Sequence, residues 1–427
     1  MKNNRVDARM GVYMSEMYDM HEKEERLILV AVATADGDDT ADSLDELEEL
    51  IRTAGAVSVT KVIQNRESVH PGTYIGKGKI EEIREMIPES DATGVVCDDE
   101  LSPAQLKNLE DALQIKVMDR TMVILDIFAQ HASTKEGKIQ VELAQLRYRS
   151  TRLIGMRNSL SRLGGGIGTR GPGEKKLEVD RRLIRDRISQ LNRELEDVKR
   201  YRETSRGLRS KAPLPIAAIV GYTNAGKSTL LNLLTSAGVL EEDKLFATLD
   251  PTTRNLTLPS GQQLLLTDTV GFIRKLPHHL IDAFRSTLEE AKYADIILHV
   301  VDSSNPAAYK QMHVVYDTLE RLGVKDKTII TAFNKQDKLE TEQIIKDFKA
   351  DRTVKISAKE NQGIDSLLNA FEEVLRERKV LVEKVFPYHD AGRIQLIRKY
   401  GQLLEEEYQE EGIYVKAYLP RDVYDGL

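Results

Sequence analysis

Tryptophan is absent from the 427 residues, cysteine occurs once, and aromatic side chains make up only 5% of the chain. A single cysteine cannot close an internal disulfide, so no disulfide framework holds this fold. Cys97 lies in the apolar run Gly94-Val95-Val96-Cys97 and reads as a buried core thiol, which suits a reducing compartment. The tyrosines and phenylalanines are scattered, without the grouping of a base-stacking platform. His131, His278, His279 and His389 show no metal-ligand spacing. No apolar run approaches ~18 residues, which argues against a membrane-spanning helix. The beginning has no signal-peptide pattern, Met1-Lys2 is not a myristoylation signal, and Tyr424-Asp425-Gly426-Leu427 carries no prenylation cysteine. A soluble cytoplasmic monomer with no membrane anchor is expected.

Charge is plentiful but uneven. The net charge is −7. Between Ser133 and Pro213, however, about 21 basic side chains face about 10 acidic ones, which leaves the remainder at about −18. One strongly basic segment in an acidic protein points to a localised polyanion-binding surface. A solvated, charged coiled coil is the alternative reading.

The pattern along the chain divides it into five parts. Residues 1–25 form a polar, Met-rich lead-in. Residues 26–132 alternate strands and helices: strands at Arg26–Ala33, Val57–Gln64, Gly94–Cys97 and Lys116–Met118. The intervening helices fall at Asp42–Ala54 (with a capping carboxylate), Lys79–Met86, Pro103–Leu113 and Thr121–Ala132. That alternation argues an α/β domain with a parallel sheet.

Residues 133–211 change period. Ile139, Leu143, Leu146 and Leu153, then Leu177, Ile184, Ile188, Leu191, Leu195 and Val198, recur at spacings of four and three. They imply an antiparallel coiled-coil hairpin. Its tip is "RLGGGIGTRGPGEKK", Arg162 to Lys176, with six glycines and a basic character that a helix would not tolerate. Residues 212–378, begun by the helix breaker "KAPLP", form a second α/β domain with strands at Ile216–Val220, Leu264–Thr267, Ile296–Val301, Thr328–Ala332 and Val354–Ile356. Residues 379–427 read as a small α+β domain: strand, helix over Gly392–Tyr408, strand.

The chemistry is concentrated in the fourth part. "GYTNAGKST", Gly221 to Thr229, follows a strand and has the spacing of a phosphate cradle, Gly221-x4-Gly226-Lys227-Ser228. The N–H groups of Tyr222, Thr223, Asn224, Ala225 and Gly226 converge on phosphate, Lys227 neutralises β/γ charge, and the Ser228 hydroxyl ligates Mg²⁺. "DTVG", Asp268-Thr269-Val270-Gly271, ends another strand; Asp268 can hold Mg²⁺ through water, and the Gly271 N–H can meet a γ-phosphate. Between them lies "FATLD", Phe246-Ala247-Thr248-Leu249-Asp250. Thr248 is the choice for a loop hydroxyl that reaches Mg²⁺ with triphosphate bound, with Thr252 and Thr253 as alternatives. Lys227, Thr248 and Gly271 form the catalytic set.

"NKQD", Asn334-Lys335-Gln336-Asp337, offers a carboxylate to guanine N1–H and the 2-amino group, which adenine cannot satisfy. "SAK", Ser357-Ala358-Lys359, can present the Ala358 N–H to guanine O6. The motifs come in the right order, each just after a strand, and imply a GTP-binding domain of Ras-like P-loop class.

Residues 215–360 resemble the Obg-HflX branch of translation-factor-type GTPases. "FATLDPTTR", "DTVGFIRKLP" and "GGGIGTRGPGEKKLEVDRR" are similar to the HflX family, and the likeness extends over nearly the whole chain, weakest before Arg26 and after Val380. The resemblance implies a protein that binds the large ribosomal subunit and its RNA and uses GTP to dissociate ribosomes. It also implies Mg²⁺ as a cofactor. Asn224 matches the P-loop asparagine of potassium-stimulated GTPases, which makes K⁺ a candidate second cation; an asparagine that only supports the loop is the alternative. At the position after "DTVG", where many relatives carry a water-orienting glutamine, this chain has Phe272. A phenyl ring makes no such hydrogen bond, so slow unaided hydrolysis, stimulated by ribosomes, is expected. Arg274, two residues on, reads as a surface arginine, with a cis-acting catalytic arginine as the alternative. A ribosome-assembly factor and a GTP-gated binding module for a protein partner are the competing functions.

Overall fold

The computed structural model describes residues 24–34, 39–160, 172–209, 214–235, 245–246, 252–276, 290–339, 345–377 and 379–424. The chain packs as two compact units, Met1–Val123 and Ile124–Leu427.

In the first unit β1 (Arg26–Ala33), β2 (Val57–Asn65), β3 (Gly94–Cys97) and β4 (Lys116–Asp119) form a parallel sheet in the order β2-β1-β3-β4. The crossovers are α1 (Thr40–Thr53), α2 (Lys77–Ser90) and α3 (Pro103–Leu113). Helices on both faces explain why β1 reads as a continuous apolar run: Leu27, Ile28, Leu29, Val30 and Ala31 are all buried. The helix α1 begins before the expected Asp42, and its N-cap, Asp39, makes no side-chain cap bond. Asp42 instead stands in the first turn, where it favours the positive end of the helix. The start of α3 is a capping box between Ser102 and Gln105 with Pro103 inside the first turn. At the carboxyl ends of β3 and β4, buried Arg120 holds Asp98 at 2.8 Å and also pairs with Glu46. Ser43 Oγ donates to the other Asp98 oxygen at 2.7 Å, so that the buried charges are matched.

From β4 the chain runs into α4 (Arg120–His131) and then into α5 (Lys135–Leu160) and α6 (Pro172–Arg209). Ile139, Leu143 and Leu191 are buried together, with Leu146, Ile188 and Leu195 packed around them. These residues lie at similar distances from the connection on both helices, which fixes an antiparallel hairpin. Arg187 clasps Glu142 with two bonds of 2.7 and 2.9 Å. One expectation is corrected. Pro172, Gly173, Glu174, Lys175 and Lys176 belong to α6, not to a non-helical tip. Proline fits the first helical position because its missing N–H would have no partner there. Arg162–Gly171, including the tract from Gly164, lies outside the described residues.

The next sheet has six strands in the order β10-β9-β8-β5-β7-β6. They are β5 (Ile216–Gly221), β6 (Thr253–Thr257), β7 (Gln263–Asp268), β8 (Ile296–Asp302), β9 (Thr328–Asn334) and β10 (Arg352–Lys355). Every pairing is parallel except β6 on β7, an edge strand the sequence reading missed. Its helices include α7 (Lys227–Thr235), α8 (Ala308–Arg321) and α9 (Ile364–Glu377). One face of the sheet buries Ile219, Leu266, Leu298 and Ile330 against Leu230, Leu367 and Phe371. Parallel strands sharing one direction put their carboxyl ends on one rim, the usual ligand-binding edge of such sheets.

The last part is a three-stranded antiparallel sheet, β11-β13-β12, of β11 (Lys379–Phe386), β12 (Gln402–Gln409) and β13 (Gly412–Pro420). It packs α10 (Ala391–Tyr400) through Ile394 and Ile397 on Val382, Val415 and Leu419. The expected helix over Gly392–Tyr408 is therefore half right. Leu403, Glu405, Glu406 and Glu407 favour helix by propensity, but pairing with β13 overrides it. The break falls at Gly401, whose N–H closes α10 on Ile397 O at 2.7 Å.

Candidate nucleotide-binding site

Four of the nucleotide motifs sit at the carboxyl ends of parallel strands: the P-loop after β5, Asp268 ending β7, Asn334 ending β9, and Ser357 just past β10. The P-loop turns through Asn224 at φ 60° and Gly226 at φ 93°. Asparagine tolerates that left-handed conformation, which gives the loop-supporting reading of Asn224 a backbone basis. Gly226 has a stronger constraint, because a Cβ there would collide with Asn334 Nδ2. The loop opens directly into α7, with Lys227, Ser228 and Thr229 in its first turn.

Lys227 is buried, and its Nζ donates to the Tyr222 carbonyl at 2.8 Å. Burial pulls it down to about 8, with Asp268 opposing the shift and Lys335 adding to it. Ser228 Oγ donates to Asp268 Oδ2 at 3.1 Å, and the other carboxylate oxygen accepts the Thr269 N–H at 3.0 Å. A hydroxyl and a carboxylate side by side at a helix start are the hard oxygen donors that Mg²⁺ prefers, so the residues fit that ion. Of the three threonines considered for the Mg²⁺ loop, Thr253 faces Thr267 at 3.0 Å between their hydroxyls, and Thr252 gives its carbonyl to the Asp268 N–H at 3.0 Å. Thr248, with Ala247, Leu249 and Asp250, lies outside the described residues, as do His278 and His279.

The segment after β7 lies along the P-loop like a zipper. Thr223 N donates to Phe272 O at 2.8 Å and Phe272 N donates to Gly221 O at 3.1 Å. Arg274 N donates to the Tyr222 hydroxyl at 2.9 Å. Val270 and the Phe272 ring are buried, the ring at 2% exposure, so the ring is packing rather than chemistry. A Cβ on Gly271 would stand 2.8 Å from Thr223 Cγ2 and 2.9 Å from Lys227 Nζ, so that glycine abuts both.

At the base end, Asn334 links both loops: its Nδ2 donates to Ala225 O at 2.9 Å, and its Oδ1 accepts the Ala358 N–H at 2.9 Å. The Ala358 N–H expected for guanine O6 is therefore engaged with Asn334 in this structure. Asp337 accepts the Ser357 hydroxyl at 2.6 Å, which holds its carboxyl below the usual range. Its side chain is exposed rather than buried, so a bound base would have to cover it. Lys335, at φ 63°, pairs with Asp302 at 2.8 Å, and Gln336 donates to Ser303 Oγ at 3.0 Å. Lys359 points into solvent.

Sequence reasoning missed Asp302 and Ser303, although "VDSS" closes a strand on the same rim and could have been noticed. Phe246 was read only as a member of the nucleotide loop; what went unread is its packing, at φ 59° and buried, edge-to-face on Phe128 of α4 with centroids 4.7 Å apart. Nothing local announces a contact between residues so far apart in the chain.

Three family descriptions match in succession: "GTP-binding GTPase N-terminal" over residues 41–129, "GTP-binding GTPase Middle Region" over 131–209, and "50S ribosome-binding GTPase" over 216–335. A protein named GTPase HflX from Lacrimispora saccharolytica is 69% identical over 97% of this chain and 98% of its own. The GTPase HflX of Escherichia coli is 42% identical over 92% of this chain and 93% of its own. A solved GTP-binding protein from Sulfolobus solfataricus in complex with GDP aligns over 81% of this chain and 98% of its own, at 24% identity and a TM-score of 0.43.

Proposed function

Because the chain belongs to the GTPase HflX family, we propose that this GTPase binds the large ribosomal subunit and its RNA and uses its nucleotide cycle to dissociate ribosomes. The carrying observation is the hairpin of α5 and α6, strongly basic and joined by a glycine-rich connection. The family description matched by its nucleotide-binding part, a 50S ribosome-binding GTPase, supports the same partner. The reading takes 26–132, 133–211, 212–378 and 379–427 as its working parts, with 1–25 as a lead-in.

In this reading Lys227 leaves the Tyr222 carbonyl to meet the β/γ phosphates, and P-loop N–H groups take the remaining phosphate oxygens. Ser228, Thr248 and, through water, Asp268 hold Mg²⁺, which neutralises charge on the phosphates; Asn224 is the residue to test for K⁺. Asp337, oriented by Ser357, selects guanine. Among the described residues no helix is long and apolar enough to cross a membrane. The basic hairpin contacts RNA backbone and the glycines allow close approach in a confined cavity.

The test replaces Gly164–Gly171 with a short neutral turn. GTP affinity and unaided hydrolysis should persist, since the nucleotide residues are elsewhere, while ribosome dissociation disappears. Dissociation at the parental rate would reduce the tract to a connector. Intact dissociation combined with accumulation of immature large subunits in cells would favour an assembly role.

A further inference from the structure

Phe272, at the position where a water-orienting side chain would stand, is buried and apolar. Thr223 stands opposite it. Its backbone N–H is the one bonded to Phe272 O, and its side chain is 6% exposed. Its hydroxyl oxygen is buried without a hydrogen-bond partner, the one P-loop side-chain atom in that condition among the described residues. A buried hydroxyl left unpaired is destabilising, and such an exception calls for an explanation.

Position supplies one. The two groups expected to flank a γ-phosphate are Lys227 Nζ and the Gly271 N–H. A Cβ on Gly271 would lie 2.9 Å from Lys227 Nζ, 2.8 Å from Thr223 Cγ2 and 3.0 Å from Thr223 Cα. A phosphate touching both flanking groups therefore lies against Thr223. The Thr223 atom nearest that place here is its methyl; a turn to another χ1 rotamer brings the hydroxyl there, with one donor and two acceptor lone pairs, the complement that Phe272 lacks.

We infer that Thr223 is a catalytic residue whose hydroxyl orients the attacking water against the γ-phosphate. Its oxygen accepts a hydrogen bond from the water and its proton is donated to a γ-phosphate oxygen. The water oxygen forms its bond to Pγ as the bond from Pγ to the bridging oxygen breaks, and that electron pair leaves with GDP. The proton lost by the water ends on the released phosphate, so the hydroxyl is unchanged at the end. Until triphosphate displaces the segment zipped onto the P-loop, the hydroxyl is sealed from solvent.

Thr223→Val keeps the shape and removes the hydroxyl; Thr223→Ser keeps the hydroxyl. Single-turnover hydrolysis by the full-length valine variant should fall by roughly a hundredfold or more, with and without large subunits. Binding of GDP with aluminium fluoride, a transition-state mimic, should weaken with it, while GDP affinity stays. The thermal midpoint without nucleotide should hold or rise, since an unpaired polar atom has been removed. The serine variant should recover most of the rate. A valine variant as fast as the parent, or a serine variant as slow as valine, overturns the assignment. So does a lowered midpoint accompanied by equal losses of GDP and transition-state-mimic affinity, which would make Thr223 structural. Should valine prevent folding, Thr223→Ala carries the same comparison against serine.

Discussion

Ser228 Oγ and Asp268 Oδ2 are 3.1 Å apart, a hydrogen bond that ties the first turn of α7 to the end of β7. Both oxygens belong to the proposed Mg²⁺ shell, so the ion would enter between groups already in register. Ser228→Ala should weaken GTP by about 2 kcal/mol, the scale of a bond to a charged group, and flatten the dependence of affinity on Mg²⁺. Titration with labelled GTP at several Mg²⁺ concentrations checks it; an unaltered Mg²⁺ dependence removes Ser228 from the shell.

Asp337→Asn should weaken GTP by several kcal/mol and restore binding of the xanthine nucleotide in part, because the acceptor for two guanine donors is gone. Ser357→Ala, which removes the 2.6 Å bond to Asp337, should act in the same direction but less. Calorimetric titration with GTP, GDP and XTP separates the two, and equal GTP affinity in the asparagine variant would refute the base assignment.

Lys227 sits at about 8 without nucleotide because it is buried. Phosphate favours its charged form, so the bound value is higher. GTP affinity should therefore be level below about pH 8 and decline as pH rises above it, the complex binding more protons than the free protein. Affinity measured from pH 7 to 9.5 tests this, and a flat profile would contradict it.

His299, buried on β8, faces Asp347 at 3.7 Å, with Tyr316, Thr331 and the Lys349 N–H also directed at that carboxylate. Burial pushes the imidazole below its ordinary value, and the charge of Lys227 adds to the effect. The sign follows: the unfolded chain takes up a proton that the native state refuses. Stability is thus complete above the ordinary histidine range and is lost as pH falls below about 6.5. Urea unfolding from pH 5 to 7.5 should show that slope, and His299→Asn should reduce it.

The edge-to-face pair of Phe128 and Phe246 should show a coupling of about 1 kcal/mol in a double-mutant cycle with leucine. Additive losses in chemical denaturation would mean that the two rings only fill space.

Much of this fold was legible because its signals are local. The strands Arg26–Ala33 and Gly94–Cys97 and the helix Pro103–Leu113 stand as read, since short apolar runs and helical spacing mark them. Among the described residues the P-loop, Asp268, Asn334 and Ser357 stand at strand ends as expected. What escaped was decided at a distance. Gln402–Gln409 carries consecutive glutamates and becomes a strand only because β13 is beside it. Thr253–Thr257 is exposed on most of its positions and shows no apolar run, so only its pairing with β7 defines it. The roles of Tyr222, Asn334 and Phe246 depend on partners far away in the chain, which no window of sequence contains.

Asn334 deserves a different description from that of a base-recognition residue. One end of its amide holds Ala225 O and the other holds the Ala358 N–H, so the phosphate loop and the base loop share a single fastener. Ordering either loop restrains the other, and reciprocity requires the effect to be equal in both directions. Two fragments of the ligand, pyrophosphate and guanosine, should then bind with positive cooperativity although they do not touch. Release of an intact nucleotide should then be a concerted opening of both ends, and Asn334→Ala should speed GDP release measured with a labelled nucleotide; an unchanged release rate would break this link.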